Sequence, residues 1–375
     1  MPDVPDELFP PFPREDWRRH QAPVEAAVRR VLESGHYVLD AEGEAFETEW
    51  AAYLHAQEAV GLASGTDAIG MMLRVLKIGP GDKVVIPSMA PVAVAAGVAR
   101  EGAEILLADC DPATFTLCPQ SLDALLRSPA GRAVKAAVVV HLYGHMADWD
   151  GLSKVAQQHG IDLLEDASQA HGAAWRSHKA GTLGRAAAFS FYPTKNLAAM
   201  GDAGALVTND KSLALQARKR RQYGWSKRYV SELAGINSRL DEMQAAILRA
   251  KLPALDEALQ VRRELAAHYS KRLKPMGLLA RPPLEAKGTQ HAWHLYVIRS
   301  SRRDSLHSYL HSKGVPVAVH YPVPIHLQPA YAAMAQAPLP LVETDRAVAE
   351  VLSLPLHPYL STRALDYVCD LVEAF

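Results

Sequence analysis

The chain has 375 residues, 49% of them hydrophobic and 22% charged, with 40 Lys+Arg against 41 Asp+Glu and a formal net charge of -1. At roughly 150 residues per domain this length predicts about two domains with ample core, and the composition excludes a wholly disordered chain. Near-neutral charge leaves no electrostatic footprint for nucleic acid, so no such partner is expected and any phosphate must be held by local geometry.

The chain opens MPDVPDELFPPFPRED, acidic and Pro-rich, without the basic start and apolar run of a signal peptide. No run of about 18 apolar residues occurs, so no membrane span is expected. Cys110, Cys118 and Cys369 are too few for a disulfide framework and are not spaced as metal ligands. A reduced, cytoplasmic setting without a metal site is the expectation.

Helices are expected at 23–34 and 45–55, separated by Gly35. A regular alternation follows. Short apolar, β-branched runs at Lys83–Pro87, Glu104–Ala108, 136–141, 161–165, 187–191 and 205–208 read as buried strands. Helical stretches at 66–76, 92–101, 121–126 and 151–159 lie between most of them. This pattern predicts an α/β domain with a mostly parallel sheet covered on both faces. After residue 209 the pattern changes. A basic helix at 213–221 leads to a long helix at 238–260, continuing after a break to 273. The remainder reads as a smaller α+β domain.

Ligands of open α/β sheets bind outside the carboxyl ends of the strands, so the residues there were read for chemistry. Ser64-Gly65-Thr66-Asp67-Ala68 opens a helix, whose free N–H groups and dipole suit a phosphate. Alone, it reads more readily as an ordinary Ser/Thr N-cap with no ligand. Asp166 ends a buried strand, where a carboxylate is costly without a cationic partner. It reads either as a helix N-cap, with Glu165 beside it near a dipole, or as the partner of a protonated ring nitrogen. Ser190 ends another strand, and Lys195 follows in a segment poor in charge. A desolvated lysine has a lowered pKa and attacks carbonyls. A phosphate cup, a strand-end carboxylate and a buried lysine, in that order, are the parts of a pyridoxal phosphate site.

The motifs SGTDA (64–68), IGPGDKVVIPS (78–88), EDASQAHGA (165–173), FSFYPTKNL (189–197) and GINSRLDEMQAAIL (235–248) carry a resemblance to the DegT/DnrJ/StrS sugar aminotransferases across nearly the whole chain. The resemblance implies the fold type I of pyridoxal-phosphate-dependent transferases. In it, residues 1–255 form a large cofactor-binding domain, with a mostly parallel mixed sheet between helices, and residues 256–375 a small α+β domain. It implies that Lys195 holds the cofactor covalently, Asp166 partners its ring nitrogen, Gln169 lies beside its 3-oxygen, and Gly65, Thr66 and Ser190 bind its phosphate. It also implies a homodimer with shared sites, in which Asn237 is lent to the neighbouring subunit. The amino donor is then L-glutamate and the acceptor a nucleotide-linked keto sugar.

The run SFYPTKNLAAMGDAGA (190–205) is similar to enzymes that aminate C3 of dTDP-linked 3-keto-6-deoxyhexoses, where 4-keto enzymes more often read SFH..KN...GEGG. HYPVPIHLQPAY (320–331) is similar to the same group, so His320, Tyr321 and His326 are candidates for the sugar pocket. Arg228 and Arg239 are candidates for the nucleotide, since Arg clamps pyrophosphate bidentately. Two departures stand out. PSMAPVAVA (87–95) replaces the family's PA.TF.AT, so Met89 or Pro91 takes the place of the ring-stacking aromatic. Asp202 replaces a frequent Glu. UDP-linked 3-keto or 4-keto acceptors, and a non-catalytic regulatory protein on the same scaffold, are the alternatives. A dehydratase of this fold would carry histidine in place of Lys195.

Overall fold

The computed structural model describes residues 8–273, 279–280 and 288–375. The first seven residues of the Pro-rich start, and most of 274–287 in the expected second domain, lie outside the described residues. Helices α1 (Phe12–Arg19), α2 (Gln21–Ser34) and α3 (Ala41–Leu54) precede strand β1 (Glu58–Leu62) and helix α4 (Gly65–Val75). The alternation continues through β2 (Lys83–Pro87), α5 (Val92–Arg100), β3 (Glu104–Ala108), α6 (Pro119–Arg127), β4 (Val134–Val140), α7 (Trp149–His159) and β5 (Asp162–Asp166). Two short strands, β6 (Ala174–Trp175) and β7 (His178–Lys179), lead to β8 (Ala187–Ser190), β9 (Gly204–Thr208) and α8 (Lys211–Arg220). The hairpin β10 (Trp225–Lys227) and β11 (Val230–Ser231) precedes α9 (Glu242–Lys251) and α10 (Leu255–Arg272). The last part holds β12 (Leu279–Ala280), β13 (Thr289–Gln290), β14 (Tyr296–Ser300), α11 (Arg303–Ser312), β15 (Ala335–Gln336), α12 (Val342–Glu350), β16 (Val351–Leu354) and α13 (Thr362–Ala374).

Eight strands form one sheet in the order β1-β9-β8-β5-β4-β2-β3-β15. Only β9 runs against its neighbours β1 and β8; the pairs from β8 through β15 are parallel. The carboxyl ends of β1, β8, β5, β4, β2 and β3 therefore share one edge, and β9 starts from that edge. The strands are near-continuous apolar runs because both faces are covered: Val84, Val85, Ile86 and Ala136 through Val140 are all buried.

The structure departs from the sequence expectations at several points. Strand β1 and helix α1 were not foreseen. The helix expected at 238–260 begins only at Glu242, because Ser238 is turned inward to hydrogen-bond Ala63 and Asp67. Its break lies at Pro253, in a 3-10 turn over Leu252–Ala254, since proline cannot donate to the helix ladder.

A second sheet, β12-β14-β16, packs with α10, α11 and α13 around Tyr269, Tyr296 and Leu365. This C-terminal unit is interleaved with the first: β15 pairs with β3 of the large sheet, and Leu8 and Phe9 pack against the C-terminal core. Among the described residues no helix is long and apolar enough to cross a membrane.

Candidate active site

The strand edge is also where glycine is required. Gly65 starts α4, and a Cβ there would lie 2.6 Å from the Cβ of Ser190. Register aligns Leu62, Gly204 and Ser190 across β1, β9 and β8, and a Cβ at Gly204 would lie 2.3 Å from the carbonyl carbon of Ser64. These close approaches bring the N-terminal N–H groups of α4 beside the Ser190 hydroxyl. Ser64 caps the helix by accepting from Asp67 N at 3.1 Å. The N-cap reading of this segment holds, and the capped helix start faces a second hydroxyl. Gly65→Ala is expected to weaken phosphate-anchored binding about tenfold or more through overpacking at 2.6 Å. A titration of the apo-protein with pyridoxal phosphate checks this, and wild-type affinity would remove the cradle.

Asp166 is the last residue of β5, only 4% exposed, and its Oδ1 accepts from Ser168 N at 3.0 Å. Glu165 serves differently. Pointing to the other face, it accepts from Gly181 N (2.7 Å), Leu183 N (2.8 Å), Gly184 N (2.7 Å) and His141 Nε2 (2.9 Å). It is not near a helix start as the sequence alternative allowed; it braces the strand that carries Asp166.

Lys195 follows β8 in a loop closed by Lys195 N to Tyr192 O (2.8 Å) and Ala199 N to Phe191 O (2.7 Å). Burial pushes its ammonium down to about 8, with the Asp166 carboxylate opposing. Buried His171 and His294 and half-buried His320 are held neutral by desolvation first and then by the nearby Lys195 charge; His171 falls to about 3. The following residue, Asn196, donates to Ala292 O at 2.9 Å and so ties the lysine loop to the C-terminal unit.

Gln169 is buried, accepts from Tyr143 N at 2.6 Å and donates from Nε2 to the Tyr321 hydroxyl at 3.0 Å. The Tyr143 hydroxyl donates to the carbonyl of His320, whose Nδ1 meets Ser353 Oγ at 2.8 Å. Lys195, Asp166, Gln169, Ser190, Gly65, Thr66, His320 and Tyr321 are thus gathered at one end of the sheet.

Other expected site residues are placed differently. Met89 is fully buried in the hydrophobic core, so its side chain has no surface to offer a cofactor ring; of the two candidates, Pro91 is the one that keeps partly exposed surface. His326 meets Ser88 Oγ at 2.8 Å through Nδ1 and Asp345 at 3.1 Å through Nε2. Both ring nitrogens are engaged by protein, so in this arrangement neither is free for the sugar contact expected of it. Arg228 and Arg239 line a separate cleft of about 420 Å³ with Gln222, Trp225 and Tyr229, and Arg228 lies over the Tyr229 ring at 5.0 Å. Asn237 is exposed on the same 222–239 stretch.

Sequence reasoning missed Tyr143, His141, His294 and the bracing role of Glu165. Tyr143 had a usable signal: HLYGH directly follows the apolar run of β4, the position searched on other strands.

The model of the DegT/DnrJ/EryC1/StrS aminotransferase family matches residues 19–373. The "Erythromycin biosynthesis sensory transduction protein EryC1" of Saccharopolyspora erythraea is 43% identical over 351 residues, 94% of each chain. The dTDP-3-amino-3,4,6-trideoxy-alpha-D-glucose transaminase of Streptomyces venezuelae is 43% identical over 361 residues, 94% of this chain and 93% of that protein. The crystal structure of S. venezuelae DesV in complex with a ketimine intermediate superposes with a TM-score of 0.92 at 42% identity, over 97% of both chains. With the strand-edge lysine, carboxylate and helix-start cradle in place, this chain belongs to the DegT/DnrJ/EryC1/StrS aminotransferase family.

Proposed function

We propose that this protein is a pyridoxal-phosphate-dependent aminotransferase that moves an amino group from L-glutamate to C3 of a dTDP-linked 3-keto-6-deoxyhexose. The carrying observation is Lys195, lowered to about 8 by burial, beside Asp166 and on the sheet edge that holds the Gly65–Ser190 cradle. Likeness to the S. venezuelae transaminase over nearly the full chain supports the choice of sugar.

The residues fit the cofactor by shape and charge: a cradle a Cβ would fill, a buried carboxylate and a depressed lysine. When bound, pyridoxal phosphate supplies a carbonyl for amino groups and an electron-withdrawing ring. The N–H groups of Gly65 and Thr66 and the Ser190 hydroxyl would hold its phosphate. Asp166 would keep a proton on the ring nitrogen, and Gln169 would lie beside the 3-oxygen. Lys195 Nζ, basic enough to take a proton and neutral enough to be free near pH 8, removes the α-proton of the amino donor. In the reverse direction it returns a proton to the sugar carbon. His320 and Tyr321 line the sugar side, and of the two candidates for the apolar face Pro91 takes it in place of Met89.

We place the protein in the reducing cytoplasm, with 1–255 as cofactor unit and 256–375 as sugar-side unit. A homodimer with shared sites is part of the same reading. Asn237, Arg228 and Arg239 lie on one stretch outside the chain's own Lys195 site, and that stretch exposes Tyr223, Tyr229 and Val230. A second copy would bring them to the neighbouring site. Mixing Lys195→Ala chains with Asn237→Ala chains is expected to restore part of the activity that each lacks. No restoration after verified subunit exchange would remove the sharing.

The function is tested by adding L-glutamate to the purified holo-protein and following the visible absorbance of its cofactor. The band should bleach, and a dTDP-linked 3-keto sugar should restore it with release of an amino sugar. Restoration by UDP-linked or 4-keto sugars alone would redirect the substrate assignment. An unresponsive band would favour the non-catalytic reading.

A further inference from the structure

A buried ion pair adjoins the lysine loop. Lys251, the last residue of α9, is 5% exposed, and Asp16 of α1 is 7% exposed. Lys251 Nζ pairs with Asp16 Oδ2 and also donates to the carbonyl of Ala198 at 2.5 Å. The other carboxylate oxygen of Asp16 accepts from the Tyr359 hydroxyl at 2.8 Å. Ala198 O and Ala199 N belong to one planar peptide unit. Its N–H is held by Phe191 O, directly after β8, and its C=O by Lys251. The next N–H, of Met200, donates to Gln244 Oε1 at 2.8 Å, and Gln244 also lies on α9. Helix α9 therefore grips the loop a few residues past Lys195.

A buried ion pair is weak evidence for stability. Desolvation of both ions offsets their attraction, and a well-packed apolar pair in its place is often neutral or stabilising. What an apolar pair lacks is a donor for Ala198 O. Resting on the aminotransferase reading above, we infer that Lys251 is a positioning residue for Lys195: it fixes the Ala198–Ala199 peptide, while Asp16 balances its charge. Burial, opposed by Asp166, sets the basicity of Lys195. Lys251 reaches that amine through the backbone, by keeping the loop where it is buried.

Two variants separate position from stability. The apolar pair Lys251→Met with Asp16→Leu removes the donor without leaving a buried charge, so its urea midpoint should stay near wild type. Asp16→Asn alone leaves a buried ammonium unbalanced and should lower the urea midpoint, yet Nζ still donates to Ala198 O. The first readout needs no cofactor. Trace acetic anhydride is competed across pH between the apo-protein and a reference amine, and acetylation is measured on the peptide carrying Lys195. In wild type the half-point should lie at about 8. In the apolar pair it should rise toward about 10.4, as the loop exposes the amine. Asp166, His171, His294 and His320, the titratable groups facing Lys195, are unaltered in both variants. The second readout is the L-glutamate step of the holo-protein, which in the apolar pair should slow about tenfold or more. Asp16→Asn should match wild type in both readouts.

A wild-type half-point or a wild-type glutamate step in the apolar pair overturns the inference. So does an Asp16→Asn protein whose readouts move along with its urea midpoint, since the loss then follows stability. An apolar pair that does not fold makes the ion pair a stability element and overturns the inference as well. If the wild-type protein itself ignores L-glutamate, the functional reading fails, and the acetylation profiles still decide whether Lys251 positions Lys195.

Discussion

Lys195→Ala is expected to abolish turnover, by about four orders of magnitude or more, since in the proposed function the same amine anchors the cofactor and moves the proton. The substitution removes a partly buried cation whose charge depresses His171, His294 and His320, so it should not destabilise the fold. Partial recovery by an added small primary amine would show that the missing group is the amine itself. Retained turnover without added amine would sink the proposal. The lysine also sets a pH dependence for cofactor capture. Only the neutral amine attacks a carbonyl, and burial brings its pKa from 10.5 down to about 8. Reconstitution of apo-protein with pyridoxal phosphate should therefore speed up as pH rises and level off above about 8. An ordinary exposed lysine would go on gaining up to about 10.4. A rate that keeps climbing past pH 9.5 would contradict the buried placement.

The cofactor end of the site was legible because its parts are local. A helix start, a strand-end carboxylate and a lysine in an apolar loop each occupy a few consecutive residues, and the strand-edge rule places them together. The alternation of elements was legible for the same reason. What depended on pairing across the chain was not. Strand β9 runs antiparallel, and β15 joins the large sheet from the C-terminal unit; neither follows from hydrophobic runs alone. Met89 and His326 were chosen by position in a motif, but side-chain direction decides their roles. Met89 turns into the core, and His326 turns to Ser88 and Asp345. Tyr143 was missed because its contribution is a backbone N–H at φ 61, in the left-handed region that glycine favours and tyrosine rarely adopts. Asn237 and the two arginines mark the opposite limit: they stand apart from the chain's own Lys195 site, on the 222–239 stretch, so no contact within the chain reports their role.

Glu165→Gln, a change of one atom, is expected to cost about 3–5 kcal/mol, in the range for breaking a fully buried charged network. The carboxylate meets four donors and is fully buried. In the amide, one end still accepts from Leu183 N and Gly184 N. The other end becomes an NH2 facing Gly181 N–H and His141 Nε2. A change of histidine tautomer does not resolve this. His141 Nδ1 already accepts from Ala147 N at 3.2 Å, so moving the ring hydrogen to Nδ1 sets it against that N–H. Gly181 N–H stays opposed to the NH2 in either tautomer. Rotating the amide only transfers the conflict to Leu183 and Gly184. One buried donor–donor contact therefore survives every arrangement, and each unsatisfied group carries its full desolvation cost. The strand under strain is the one that ends in Asp166, so cofactor affinity should fall together with stability. Urea unfolding followed by far-UV circular dichroism measures the first effect, and cofactor titration the second. A variant with the wild-type urea midpoint would show that Glu165 is not the acceptor for these four groups. Reduced stability with unchanged cofactor affinity would separate the brace from the positioning of Asp166.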